Sequence, residues 1–149
     1  MKTVILRHRR ENLKKCSLRG LEDHPDLAFY TYPVDKLPDY SHFLLLKVGA
    51  PPLQKEDAHR GLFLIDGTWR LAQIMEKQLP WKLEARSLPG DYRTAYPRRQ
   101  TDCPDPASGL SSIEALYIAH LLLGRSTEKL LDAYHWKQLF LEINDFSDA

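Results

Sequence analysis

Two uninterrupted apolar runs constrain the fold of this chain more than any other feature. HFLLLKV (residues 42–48) ends at Gly-Ala-Pro-Pro, and GLFLID (residues 61–66) ends at a carboxylate. Both runs are continuous, without the alternation of apolar and polar residues that marks a strand with one face in water. Such runs predict strands that are covered on both faces, as in the parallel sheets of α/β proteins.

The remaining segments fit the same fold class. The pattern predicts further strands at residues 4–7, 27–32 and 82–88, a helical turn at 16–21, and a long surface loop at 89–110. It predicts helices at 68–78, at 112–123 behind a Ser-x-x-Glu capping box, and at 127–143 behind Ser126. Strands mixed with helices in this order predict one α/β domain over residues 1–149.

Composition excludes several classes of protein. The chain has 149 residues, of which 43% are apolar and 28% charged, as in one globular domain and unlike a disordered chain. No apolar run approaches the roughly 20 residues of a membrane-spanning helix. The first residues turn basic after a few apolar or neutral ones, the reverse of a secretory signal, so we expect a cytoplasmic protein.

The cysteines and histidines indicate no metal or disulfide framework. Cys16 and Cys103 are 87 positions apart, and the six histidines form no HExxH motif or paired spacing of a zinc site. We therefore expect no structural metal.

A net charge of +1 conceals an uneven distribution. Residues 1–19 hold seven basic residues against one acidic residue, a charge of +6, whereas residues 126–149 carry −3. A second basic group consists of Arg93, Arg98 and Arg99, beside Tyr92 and Tyr96. Basic clusters interleaved with aromatic residues favour single-stranded RNA as a partner. A solvated basic face without a partner is the alternative.

The junction Ile65-Asp66-Gly67-Thr68-Trp69 joins a predicted strand to a predicted helix. Ligand-binding groups of α/β sheets lie at the carboxyl ends of strands, which makes Asp66 a candidate functional residue. Asp66 as a helix N-cap and Trp69 as a core residue are the structural alternatives.

Together with other motifs this junction resembles the DTW-domain superfamily of RNA aminocarboxypropyltransferases. The motifs are DGTW (66–69), LSSIEA (110–115), KKCS (14–17), LPW (79–81) and PGDY (89–92). The spelling DGTW favours the tRNA branch of that superfamily, whereas KKCS and LPW…PGDY resemble its rRNA branch. The resemblance covers roughly residues 14 to 124.

The resemblance implies a SPOUT-like α/β fold with a C-terminal trefoil knot and S-adenosylmethionine (SAM) as donor. It implies SAM contacts at Ser17, Ile65, Leu79, Ser108 and Ser112, with Trp69 near the methionine moiety. It further implies transfer of the 3-amino-3-carboxypropyl (acp) group to N3 of a uridine or pseudouridine in tRNA or rRNA, with release of methylthioadenosine.

Asp66 is then the candidate catalytic residue, either as the base for N3 or as a stabiliser of the sulfonium charge. Glu114 is expected to complete the capping box. We expect a monomer whose RNA contacts are Arg7, Arg9, Arg10, Lys14, Lys15, Arg19, Arg93, Arg98 and Arg99. The alternatives are a SPOUT methyltransferase, a non-catalytic RNA-binding or ribosome-assembly factor, and an unrelated small α/β domain.

Overall fold

The computed structural model describes residues 3–9, 18–96 and 110–146, and these contain a sheet of five parallel strands. The strands are β1 (Thr3–His8), β2 (Leu27–Tyr32), β3 (Leu44–Leu46), β4 (Leu62–Asp66) and β5 (Glu84–Arg86). The helices are α1 (Trp69–Lys77), α2 (Ser112–Leu122) and α3 (Lys137–Ile143), with a 3₁₀ helix at Lys55–His59. The strand order is β2-β1-β4-β3-β5, so the predicted parallel α/β sheet is confirmed.

The two central strands are buried on both sides, as their continuous apolar sequences predict. β1 and β4 pair in parallel from Thr3 opposite Leu62 to Arg7 opposite Asp66. Ile5 and Phe63 have no exposed surface. Side chains of a strand alternate between the two faces, so each central strand contributes to two separate cores.

The two faces of the sheet carry different layers. The face that we call the α2 face holds Ile5 and Leu64 against α2 and the C-terminal region. The face that we call the α1 face holds Leu6 and Phe63 against Met75 of α1. Arg7 and Asp66 have the same parity as Ile5 and Leu64, so both belong to the α2 face.

Two predicted strands are shorter than the sequence pattern indicated. The run at 42–48 is a strand only at Leu44–Leu46, and the run at 82–88 only at Glu84–Arg86. Phe43 donates its backbone N–H to the Tyr40 carbonyl in a turn, and Val48 is 95% exposed just before Gly49 at φ +86°. These turns end the pairing before the apolar run ends.

The predicted helix at 127–143 is wrong over its first ten residues. Residues 127–136 form successive turns, in which Leu130 bonds to Thr127 and Tyr134 to Leu131, and α3 begins only at Lys137. Lys129 has φ +65°, a left-handed conformation that a helix cannot contain. Part of the predicted turn at 16–21 lies outside the described residues, and the rest includes a turn at residues 18–20.

Candidate functional site

Asp66 is the last residue of β4 and lies at the carboxyl edge of the sheet. Only 5% of its surface is exposed. The N-cap of the following helix is Thr68, whose side chain accepts from Leu71 N at 3.4 Å, so the structure assigns the capping role to Thr68. Asp66 therefore sits in the position where parallel α/β sheets carry ligand-binding groups.

Both carboxylate oxygens of Asp66 are engaged. Ser112 Oγ donates to Oδ1 at 2.7 Å, and Arg7 Nε lies 3.5 Å from Oδ2. Ser112 is the first residue of α2, and Arg7 is the β1 neighbour of Asp66 in the sheet register. Three elements that are distant in sequence thus meet at one carboxylate.

Arg7 is buried and ion-paired on two sides. Its Nη1 donates to Glu22 Oε2 at 3.1 Å, and its guanidinium lies 4.9 Å from the centre of the Phe29 ring. Its Nη2 is buried without a hydrogen-bond partner within the three described ranges. Burial by itself raises the pKa of Glu22, but hydrogen bonds from the backbone and from Arg7 outweigh it and hold that pKa below its ordinary value.

The burial of Arg7 corrects the expected set of RNA-binding residues, which included it. With 7% of its surface exposed and its guanidinium held between Asp66 and Glu22, it lies inside the fold. A phosphate contact requires an exposed cation.

The start of α2 carries the predicted capping box. Ser111 Oγ accepts from the Glu114 N–H at 3.4 Å, and Glu114 Oε1 accepts from the Ser111 N–H at 2.8 Å. This confirms the prediction from the sequence pattern. It also fixes the turn of α2 that holds Ser112 against Asp66.

Glu114 makes more bonds than a capping box needs. It accepts from Thr94 Oγ1 at 2.6 Å, from Ala95 N at 2.8 Å and from Tyr134 Oη at 3.0 Å. Burial raises the pKa of the Tyr134 hydroxyl, and the Glu114 carboxylate adds to this rise, so the hydroxyl remains a donor at neutral pH. This single carboxylate connects α2 to two distant segments.

The other expected donor contacts lie in different environments. Ile65 and Leu79 are partly buried in the apolar cluster of the α1 face, and Ser112 contacts Asp66. Trp69 is the first residue of α1. Ser17 and Ser108 lie outside the described residues.

The expected RNA contacts are described only in part. Arg9, Arg19 and Arg93 are exposed. The others, Arg10, Lys14, Lys15, Arg98 and Arg99, lie outside the described residues. Among the described residues, Arg9 directly follows the carboxyl end of β1, the strand that pairs with β4.

The sequence interpretation missed Glu22, Thr94 and Tyr134, and it assigned Arg7 and Glu114 simpler roles. One signal was available: Arg7 follows Ile5 on the same face of a buried strand, and a charge in that position needs a partner. Glu22 and Tyr134 reach their partners across 15 and 20 residues, which no local pattern indicates.

The described residues contain no group of three or more His, Cys, Asp or Glu side chains that could hold a metal ion. No helix in the same part of the chain is both long enough and apolar enough to span a membrane.

Comparison with known proteins adds one solved structure. No protein-family model and no curated protein matches the chain. The fold is similar to that of Tsr3 from Vulcanisaeta distributa, a SAM-dependent rRNA:acp-transferase, with a TM-score of 0.71 and 26% sequence identity. The match covers 97% of this chain and 79% of the other.

Proposed function

We propose that this protein transfers the acp group from SAM to N3 of a uridine or pseudouridine in RNA and releases methylthioadenosine. One observation carries the proposal: a buried carboxylate, Asp66, is fixed by Ser112 and Arg7 at the carboxyl edge of a sheet similar to that of an rRNA:acp-transferase. The reaction is inferred from this site and from the chemistry of that neighbour.

The charges of the site fit a sulfonium donor. Asp66, Arg7 and Glu22 together carry a net charge of −1, which favours a nearby cation. The buried Nη2 of Arg7, which has no hydrogen-bond partner among the described residues, fits an oxygen of the donor's carboxylate. We propose Ser17, Ile65, Trp69, Leu79, Ser108 and Ser112 as the remaining donor contacts.

Asp66 acts in this proposal as an electrostatic stabiliser. Ser112 donates to Oδ1 and the Arg7 guanidinium lies beside Oδ2, so the carboxylate is held in place as a fixed negative charge, which is what stabilisation of a sulfonium requires. In the transfer, the uracil N3 loses its proton to solvent and forms a bond to the donor's γ-carbon. The bond between that carbon and sulfur breaks, and its electron pair goes to sulfur. Because the leaving group is already activated, the main task of the protein is to position the two reactants.

RNA is the proposed acceptor. The exposed Arg9, Arg19 and Arg93 support an RNA surface at this edge, and we assign Arg10, Lys14, Lys15, Arg98 and Arg99 to the same surface. The structurally similar Tsr3 acts on rRNA, whereas the DGTW motif favours tRNA. Both RNAs are therefore tested as acceptors. The reacting base has to leave its stack to reach a buried site.

We also infer a SPOUT-like trefoil knot. The connection between β3 and β4 contacts two later parts of the chain: Leu53 N bonds to Ser87 O at 2.7 Å, and Arg125 donates to Ala58 O at 3.2 Å. The connection between β3 and β4 is therefore held both by the end of β5 and by the region after α2. This supports the inference that a later part of the chain passes through the loop that this connection forms. Because Asp66, Arg7 and Ser112 all come from one chain, we propose that a monomer is active.

Two labels of the donor test the reaction. Purified protein is incubated with tRNA and with small-subunit rRNA from a strain that lacks this gene, using SAM labelled either in its methyl group or in its carboxyl group. The proposal expects only the carboxyl label in RNA, together with free methylthioadenosine. Methyl label in RNA would identify a methyltransferase instead. No label in either RNA, with no SAM binding by calorimetry, would overturn the proposal.

Asp66→Asn tests the site within the same assay. Removing one preorganised charge at a reacting centre typically lowers kcat by about 100-fold or more. Asp57→Asn is the matched control. Asp57 lies in the 3₁₀ helix, its carboxylate is largely buried, and its Oδ2 lies 3.3 Å from Arg86 Nε of β5. Equal losses in the two variants would contradict the role of Asp66. A stabiliser also predicts that the residual activity keeps the pH profile of the wild type.

A further inference from the structure

Glu114 has no exposed surface, and four donors share its carboxylate. Oε1 accepts from Ser111 N and Thr94 Oγ1, and Oε2 accepts from Ala95 N and Tyr134 Oη. Only the bond to Ser111 belongs to the capping box. The other three hold chain segments that are about 20 residues away in sequence, so capping alone does not account for a buried charge here.

The four partners of Glu114 are uncharged. A carboxylate offers acceptors in all four directions, whereas a glutamine amide would turn an NH₂ donor towards two of the four donors. The arrangement is therefore selective for a charged carboxylate, and the hydrogen bonds to it are of the stronger, charge-assisted kind.

One of the segments held by Glu114 begins at Arg93, the first residue of the second basic group. We call residues 93–96 the Arg93 segment. Thr94 Oγ1 also accepts from Tyr96 N at 3.0 Å, and Asn144 bonds to both the N–H and the carbonyl of Arg93, at 2.7 and 2.8 Å. The backbone of the segment is thus fixed along its length, while the Arg93 side chain is exposed.

The same turn of α2 holds Asp66. Ser112, two residues before Glu114, donates to Asp66 at 2.7 Å. The Arg93 segment and the candidate catalytic carboxylate are therefore both attached to the first turn of one helix. We propose that Glu114 is a positioning residue that sets the Arg93 segment at a fixed place relative to Asp66, so that RNA bound through this segment presents its base to the site. This inference rests on the proposed function for its RNA part.

Thr94→Val and Thr94→Ser form a matched pair for the test. Valine has the shape of threonine without the hydroxyl, whereas serine keeps the hydroxyl that bonds to Glu114. Loss of a hydrogen bond to a charged group weakens an interaction by roughly tenfold or more. We expect Thr94→Val to raise the KM for RNA about tenfold and to lower kcat, because the base is no longer presented at a fixed place, with unchanged SAM affinity. We expect Thr94→Ser to restore both wild-type values. Glu114→Gln is expected to raise the KM further.

Amide hydrogen exchange gives a readout that does not depend on the reaction. The N–H groups of Ala95 and Tyr96 are expected to exchange faster in Thr94→Val and Glu114→Gln, and at the wild-type rate in Thr94→Ser. Unchanged exchange in the first two variants would overturn the positioning role. Faster exchange with an unchanged KM for RNA would overturn the connection to RNA.

Binding of a single-stranded uridine-rich oligonucleotide, followed by fluorescence anisotropy, separates this inference from the proposed function. If the wild type transfers no acp group, the proposed function fails. A Kd that rises in Thr94→Val and recovers in Thr94→Ser then still supports positioning for RNA binding, and a Kd equal in both variants overturns it. Thr94→Val also covers the case in which Glu114→Gln does not fold.

Discussion

The two faces of the sheet bury different chemistry. The α1 face is apolar and aromatic, with Leu6, Phe63 and Met75 below a rim of Tyr40 and Trp81. The α2 face begins in the same way, but towards the carboxyl edge it buries Arg7, Asp66 and Glu114. Burial of charges costs free energy unless they are paired and hydrogen-bonded. The difference shows that the buried charges of the candidate site lie on the α2 face, whereas the α1 face provides apolar packing that includes the proposed donor contacts Ile65 and Leu79.

The bonding of the buried charges strengthens this comparison. Asp66 and Glu114 bond to different residues of the first turn of α2, and Arg7 connects Asp66 to Glu22. Each group is tied to a backbone element whose position the fold already determines. Such preorganisation is what an electrostatic site requires, because fixed charges need no rearrangement during the reaction.

The largest effect is expected from the apolar face. Phe63 is fully buried and packs edge-on against Trp81, with 6.3 Å between ring centres. Phe63→Ala should lower the free energy of unfolding by about 4 kcal/mol, since it removes buried apolar surface and leaves a cavity. Urea unfolding measures this loss. A loss below about 1 kcal/mol would contradict the role of the α1 face as a tightly packed layer.

The next effect is expected at the buried ion pair. The side chains of Arg7 and Asp66 are 9% and 7% exposed, so removal of one partner leaves the other charge buried. Arg7→Met should lower the free energy of unfolding by about 3 kcal/mol. Unfolding of Arg7→Met, Asp66→Asn and the double variant forms a thermodynamic cycle. A coupling energy near zero would show that Arg7 and Asp66 act independently.

Local sequence patterns predicted the parts of the site that depend on neighbours in the chain. The strand-to-helix junction at Asp66 and the capping box of α2 are confirmed, because both are decided within a few residues. The apolar runs predicted the parallel sheet, since continuous burial requires cover on both faces.

The contacts that join distant segments could not be predicted in this way. The burial of Arg7 depends on the register between β1 and β4, and the bonds of Glu114 to Thr94 and Tyr134 depend on how α2 packs. The last helix was predicted to begin too early for a local reason, the positive φ of Lys129. A positive φ is usually marked by glycine, so a lysine at this position gave no sign of the turn. Contacts assigned to residues 10–17 and 97–109 stay predictions.

A smaller effect with a pH dependence is expected at the amino end of the α2 face. His120 Nδ1 lies 3.0 Å from the Ser126 carbonyl, and its Nε2 lies 3.2 Å from Thr3 Oγ1. Burial lowers the pKa of His120 below its ordinary value of 6.5, and the positive charge of Arg125 lowers it further. The carbonyl accepts only, so Nδ1 carries the proton of the neutral ring, which leaves Nε2 as an acceptor for the threonine hydroxyl.

The sign of the effect follows from proton binding. Below pH 6.5 the unfolded chain binds a proton at His120 that the folded protein excludes, so stability is complete above this pH and falls as the pH decreases towards the folded-state pKa. The slope is at most about 1.4 kcal/mol per pH unit. His120→Asn keeps a donor for the carbonyl and should flatten the unfolding profile between pH 7 and pH 5. An unchanged profile would assign the acid sensitivity elsewhere.

The smallest effect is expected at the outer partner of Arg7. The Glu22 side chain is 43% exposed, and exposed ion pairs contribute below about 1 kcal/mol. Because the pKa of Glu22 lies below its ordinary value of 4.5, its contribution is present above that pH and is lost as the pH falls through the folded-state pKa. Glu22→Gln should therefore weaken the protein slightly at pH 7 and have almost no effect once the pH has fallen below the folded-state pKa of Glu22. A loss as large as that of Arg7→Met would mean that Glu22, and not Asp66, holds the guanidinium, and the buried pair would then not be the anchor of the site.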